Sequence, residues 1–179
     1  MIFEQLVDEV IDREGGFVND ARDAGGATRY GVTEAVARQH GYLGDMRSFP
    51  RAEAVAIYRR IYWLRPGFEK VARLAPAIAA ELFDTGVNMG VGVASGFLQR
   101  ALNALNRQGR DYRDLAVDRV IGPRTLAALQ AFLTVRGASG ETVLMKAIEA
   151  LQGARYIDLA ERRPANEAFL YGWLANRIG

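Results

Sequence analysis

The sequence contains no cysteine and a single histidine. Without cysteine there is no disulfide, no thiolate metal site and no cysteine nucleophile. That absence suits any redox compartment and identifies none. One histidine cannot build a histidine-rich zinc site, and a nucleophile–histidine pair would have to use His40 itself. Long hydrophobic runs are also lacking. No stretch approaches the ~18 consecutive apolar residues of a membrane span. Nor is there a basic block of the kind that marks a nucleic-acid arm. The N-terminus, MIFEQLVDEVIDREGG, is amphipathic and acidic. It has neither the basic start nor the continuous apolar core of a secretory signal. The expectation is a chain made in the cytoplasm, with no nucleic-acid partner and no insertion into a membrane.

What is present is a soluble globular composition: 179 residues, half of them hydrophobic and a quarter charged. This is one domain, or one domain with two lobes, long enough to bury a core. The net charge of +2 is unevenly spread. Residues 1–90 carry 11 basic and 13 acidic side chains, whereas residues 91–179 carry 12 and 8. A mild basic excess in the second half suits an anionic polymer, and equally an ordinary solvated surface.

The unusual stretch is Glu14 to Thr33, EGGFVNDARDAGGATRYGVT. It concentrates glycine, short polar residues and three carboxylates in a chain otherwise rich in alanine, leucine and valine. Before it, Ile2, Phe3, Leu6, Val7, Val10 and Ile11 recur at helical spacing, and Gly15-Gly16 should stop that helix. Asn19-Asp20 and Gly25-Gly26 are turn candidates, with short β-pairing expected between them. Thr33 reads as the N-cap of a helix to about Gln39, closed by His40 and Gly41. Pro50 reads as a first helical residue of a helix reaching about Leu64, ended by Pro66-Gly67. Pro76 opens a helix, AIAAELFDTGVNMG, that is apolar almost all round and therefore central. Further helices are expected over 93–106, 123–134, 141–162 and 166–177, with a polar connection from Arg107 to Asp118. Gly122-Pro123-Arg124-Thr125 is most simply a loop and helix start. The fold class is mostly α, with a small β-hairpin or irregular glycine-rich loop near residues 17–32.

The chemistry of the opening stretch follows from placement. Glu14 falls on or beside the apolar stripe of its helix, at the negative end of the helix dipole. Loss of hydration and the dipole both disfavour the carboxylate and raise its pKa, as a general acid requires. Asp23, in a polar glycine-rich loop, should stay ionised. Two carboxylates in opposed environments are what cleavage of a glycosidic bond needs. Thr28 is placed to hold a water molecule. Asp20 serves as a turn residue or a substrate contact. Tyr30 is the best candidate for stacking on a sugar; Tyr58, Tyr62 and Trp63, at helical spacing, read more naturally as core. Asp84 and Asn88 share a face of the central helix, so Asn88 either lines a sugar cleft or belongs to a buried polar pair.

These residues carry a resemblance. EGGFVNDARDAGGATRYGVT is similar to the N-terminal signature of glycoside hydrolase family 108, the muramidases of phage endolysins and secretion-linked bacterial relatives. Eight residues separate Glu14 from Asp23, and four separate Asp23 from Thr28. This spacing resembles the catalytic triad of phage-type lysozymes, which usually has one more residue in the second gap. IYRRIYW (57–63) and LFDTGVNMG (82–90) resemble the family's next helices. LQRALN (98–103), VDRVIGPRTLAAL (117–129) and FLYGWLANRI (169–178) resemble the peptidoglycan-binding region that commonly follows. One departure is Asp118-Arg119 where Asp-Gly is usual, a costly exchange if the turn needs a positive φ.

The resemblance implies a lysozyme-like fold, with a catalytic lobe over 1–91 and a helical peptidoglycan-binding lobe over 92–179. It implies hydrolysis of the β-1,4 bond between N-acetylmuramic acid and N-acetylglucosamine. Glu14 would be the acid, Asp23 its partner and Thr28 the water-positioning residue; the reading of the residues themselves adds Tyr30, Asn88 and Asp20 as substrate contacts. A lytic transglycosylase and a non-catalytic peptidoglycan-binding module are the alternatives. No metal and no organic cofactor are expected. The expected partner is the glycan strand, met by a monomer in the cell wall or periplasm after release or export, with a holin-like or secretion partner giving access.

Overall fold

The computed structural model describes residues 2–18 and 26–179; of Glu14 and Ala138 it describes the backbone. The chain divides into two compact units, Met1–Arg65 and Pro66–Gly179. Among the described residues the structure is mostly α-helical, with one two-stranded antiparallel sheet, as the sequence pattern predicts.

In the first unit, α1 (Ile2–Glu14) buries the stripe the periodicity marks: Phe3, Val7, Val10 and Ile11 are each at most 4% exposed. At roughly 2 kcal/mol per buried side chain, this stripe is what holds α1 in place. Ion pairs Arg51–Asp8 and Arg59–Glu4, each 2.5 Å and half-exposed, tie its polar face to the helical stretch 51–64 and add little by comparison. The helix stops at Gly15, whose φ of +76° suits glycine, and whose N–H donates to Ile11 O at 3.1 Å.

Strands β1 (Thr28–Arg29) and β2 (Val32–Thr33) form a hairpin, and Thr33 caps α2 (Glu34–Gln39) by accepting from Val36 N. A single 3₁₀ turn (Met46–Ser48) precedes α3 (Arg51–Tyr58). Pro50 is the cap of α3 rather than its first residue, since its ψ of 140° is extended. The helix expected to run on to Leu64 changes character. Arg59–Leu64 is a π-helical segment, in which Arg65 N–H reaches back to Arg60 O at 3.1 Å. Trp63 and Tyr58 are buried there, and Trp63 packs on Phe3 with ring centroids 5.5 Å apart.

In the second unit, Pro66-Gly67 breaks the chain but a short helix missed in the sequence, α4 (Phe68–Ala72), follows at once. The central helix α5 (Pro76–Met89) packs against α4, α6 (Val91–Ala104) and α8 (Ala138–Arg162). Its Ile78, Ala79, Leu82 and Phe83 are at most 1% exposed. Helix α7 (Pro123–Arg136) and helix α9 (Glu167–Arg177) both lie on α8.

The long connection 105–122 is not loosely solvated. Three amides at helical spacing hold it, two on α6 and Asn106 just past its end. Gln99 Nε2 donates to Asp118 Oδ1 (2.7 Å) and Val120 O (3.0 Å), while its Oε1 accepts from Arg119 N (2.9 Å). Asn103 exchanges two bonds with the Leu115 backbone, and Asn106 donates to Tyr112 O (2.7 Å) and Asp114 Oδ1 (2.8 Å). The bonds from Gln99 and the Val120 N–H hold the Asp118 carboxyl below the usual aspartate range. Arg119 has φ +65°, so the positive angle for which glycine is the usual residue does occur here on an arginine.

Candidate active site

The expected site residues fall into three groups. Asp20 and Asp23 lie outside the described residues. Glu14 is the last residue of α1, at the negative end of the helix dipole. Thr28 and Tyr30 sit on the hairpin of the same unit.

Backbone bonds tie the end of α1 to that hairpin. Val18 N–H donates to Thr28 O and Thr28 N–H to Val18 O, both at 2.8 Å. Three residues thus separate Glu14 from Val18, the partner of Thr28, a reach of at most about 14 Å. Thr28 also pairs with Thr33, and Glu34 N–H donates to Ala27 O at 2.8 Å. The strand bearing Thr28 is therefore held from both sides, by the segment after Glu14 and by the start of α2.

The turn of the hairpin is Tyr30-Gly31, with φ +54° and +73°. Positive φ at both central residues is the backbone of a type I′ turn, which matches the twist of two-residue hairpins. Asn-Gly is the usual sequence for it, so the tyrosine disguised the signal. A bulky residue at positive φ costs on the order of 1 kcal/mol, and such strain gathers at functional sites. Arg29 helps hold it: its guanidinium lies 5.0 Å from the Tyr30 ring centre, and Nη2 lies 3.4 Å from the hydroxyl. Buried Arg29 Nε has no hydrogen-bond partner among the described residues.

Asn88 belongs to the second unit, near the end of α5. It is exposed, not buried, and its amide donates to Asp84 O (2.7 Å) and Oδ2 (3.2 Å). Asp84 in turn receives Arg177 of α9 at 2.8 Å.

The acid with a raised pKa that the sequence places at Glu14 has a counterpart elsewhere, on α5. Glu81 is pushed up to about 7, first by burial and then by the neighbouring Asp84 and Glu149 charges. The Thr85 hydroxyl, 3.0 Å from Oε1, and Arg177 oppose the shift. Gln152, with its amide nitrogen toward the acceptors, donates to Glu81 Oε1 and Arg177 O, both at 3.1 Å. This carboxyl is enclosed by α8 and α9 and acts as a packing element. Among the described residues, no cluster of three or more His, Asp or Glu could hold a metal ion, and no helix is long and apolar enough to cross a membrane.

A hairpin braced against the end of an amphipathic helix, followed by a helical second half, matches known proteins at two levels. Residues 7–90 match the family model described as glycosyl hydrolase 108, and residues 93–178 match the family model described as a predicted peptidoglycan domain. Together the two matches span nearly the whole chain. A solved structure described as the structure of Brucella abortus SagA is similar, at 22% identity and a TM-score of 0.67. The match covers 97% of this chain and 87% of that one, and it shows a shared fold. No curated protein matches the chain.

Proposed function

We propose that the protein is an N-acetylmuramidase that hydrolyses the β-1,4 bond between N-acetylmuramic acid and N-acetylglucosamine in peptidoglycan. The observation that carries this reading is the family match over residues 7–90, which contains Glu14 at the end of α1 and Thr28 on the adjoining hairpin. In it Glu14 protonates the leaving oxygen. Asp23 is the second carboxylate, stabilising the oxocarbenium-like centre or activating water, and Thr28 positions that water. Tyr30, Asp20 and Asn88 are substrate contacts in this reading. Residues 1–91 form the catalytic lobe and 92–179 the wall-binding lobe in this proposal. The enzyme acts as a monomer in the wall or periplasm, after a pore-forming or secretion partner gives it access.

Mass spectrometry of the products of purified peptidoglycan tests the reaction. Reducing muramic acid ends are expected. Anhydro ends would assign the chain to the lytic transglycosylases, and sacculus binding with no new ends would make it a binding module.

A further inference from the structure

The second unit contains a cavity of about 300 Å³, lined in part by Asn88. Three helices build it: Asn88 and Met89 from α5, Arg155, Tyr156 and Leu159 from α8, and Trp173 from α9. It therefore draws on the last residues of the glycosyl hydrolase match and on the peptidoglycan match together. Its volume is at the lower end of the range for small-molecule sites, of the order of one sugar ring.

The lining combines an aromatic wall with a small set of uncommitted polar groups. Tyr156 and Trp173 are stacked, with centroids 5.1 Å apart and planes 27° from parallel. Phe169 lies 6.0 Å from Trp173 on α9, so the indole is fixed by two rings. The Asn88 amide nitrogen is engaged by Asp84, which leaves the amide oxygen as an acceptor without a hydrogen bond among the described residues. Arg155 gives one Nη to Asp158 at 2.8 Å and keeps its other donors. The Trp173 indole N–H likewise makes no hydrogen bond among the described residues. Met89 and Leu159 supply apolar surface.

One acceptor, one or two donors and an apolar seat beside an aromatic plane are what a secondary acetamide on a sugar ring requires. Its N–H needs an acceptor, its carbonyl a donor, and its methyl group an apolar contact, while the ring's C–H face suits an aromatic wall. Asp158 is shared by Arg155 at 2.8 Å and Arg162 at 2.7 Å, so this edge of the cavity keeps a net positive charge.

We infer that this cavity is a subsite for one N-acetylated hexosamine, held through its acetamido group. The inference rests on the reading of the chain as a peptidoglycan enzyme and names where its second half grips the glycan. The sequence has two tryptophans, Trp63 and Trp173, so the indole region of an amide spectrum of the full chain carries two resonances. Trp63 is buried in the first unit and serves as the internal control; Trp173→Phe assigns the peaks.

Titration with N-acetylglucosamine should shift the Trp173 resonance saturably and leave Trp63 in place. Glucosamine, which lacks the acetyl group, should bind about tenfold or more weaker, the loss of one or two site hydrogen bonds. Asn88→Leu and Arg155→Gln should each weaken N-acetylglucosamine by a similar factor. A silent Trp173, an equal response to glucosamine, or variants that titrate like the wild type would overturn the subsite. Peptidoglycan turnover, measured separately on the unaltered chain, keeps the two readings apart. Turnover with a silent Trp173 removes the subsite alone. A specific shift without turnover keeps the subsite and removes the hydrolase.

Discussion

Replacing Glu81 by glutamine should make the second unit more stable at alkaline pH and erase part of its pH dependence. The carboxyl sits between α5, α8 and α9, and burial raises its pKa from 4.5 to about 7. An acid raised in the folded state keeps its proton after the unfolded chain has lost it. Between those two pH values the unfolded state binds fewer protons, so stability falls as pH rises. At ~1.4 kcal/mol per unit, and allowing for the carboxyl's partial exposure, the loss is about 2–3 kcal/mol, complete by roughly pH 8. Glutamine has the same shape and no charge. Its oxygen can still accept from Thr85, which lies 3.0 Å from Glu81 Oε1. Urea unfolding followed by Trp173 fluorescence, in a Trp63→Phe background, reads the second unit alone. The wild-type midpoint should fall by about 1 M between pH 5 and 8, given a urea m-value of ~2 kcal/mol/M. The Glu81→Gln midpoint should move much less and exceed the wild type at pH 8. A glutamine variant as steep in pH as the wild type, or weaker than it at pH 8, would refute the assignment.

Further outcomes follow from other parts of the molecule. Gln99→Leu strands the Arg119 N–H and removes one bond each from Asp118 and the Val120 carbonyl, which keep the Val120 and Gly122 N–H groups. It should cost about 3 kcal/mol in chemical denaturation. Arg119→Gly removes a side chain from positive φ and should raise stability by up to about 1 kcal/mol, read as a slightly higher thermal midpoint, whereas Arg119→Val should lower stability by about 2 kcal/mol. Thr28→Val keeps the β1–β2 pairing, which is made by backbone atoms, but should reduce peptidoglycan turnover by roughly 10² with unchanged circular dichroism; Thr28→Ser should retain most activity.

Much of this organisation was legible because it rests on strong local signals. The stripe from Phe3 to Ile11, the Gly15 stop, the Thr33 cap and the proline that opens α5 each act within a few residues. The strain at Arg119 was legible too, since Asp-Arg occupied a place where glycine is usual. What stayed hidden depends on distant partners. Gln99, Asn103 and Asn106 recur at helical spacing, a pattern that ordinarily marks a solvated face. Only the returning chain, 12 to 20 residues later for Asn103 and Gln99, makes it a buried anchor. The π segment 59–64 has the same residue types as an ordinary helix, so nothing local announces it. The Tyr30-Gly31 turn was masked by a residue that rarely takes positive φ. At the candidate site, the sequence located Glu14 at a helix end and Thr28 on a short strand, whereas convergence of residues from α5, α8 and α9 on one cavity is a tertiary event.

The central claim is that Glu14 supplies the proton for glycosidic cleavage. Glutamine at that position keeps the size and removes the acid. Release of reducing ends from purified peptidoglycan should fall by at least about 10² in Glu14→Gln, with sacculus binding and the folded spectrum unchanged. Turnover within about tenfold of the wild type would contradict it.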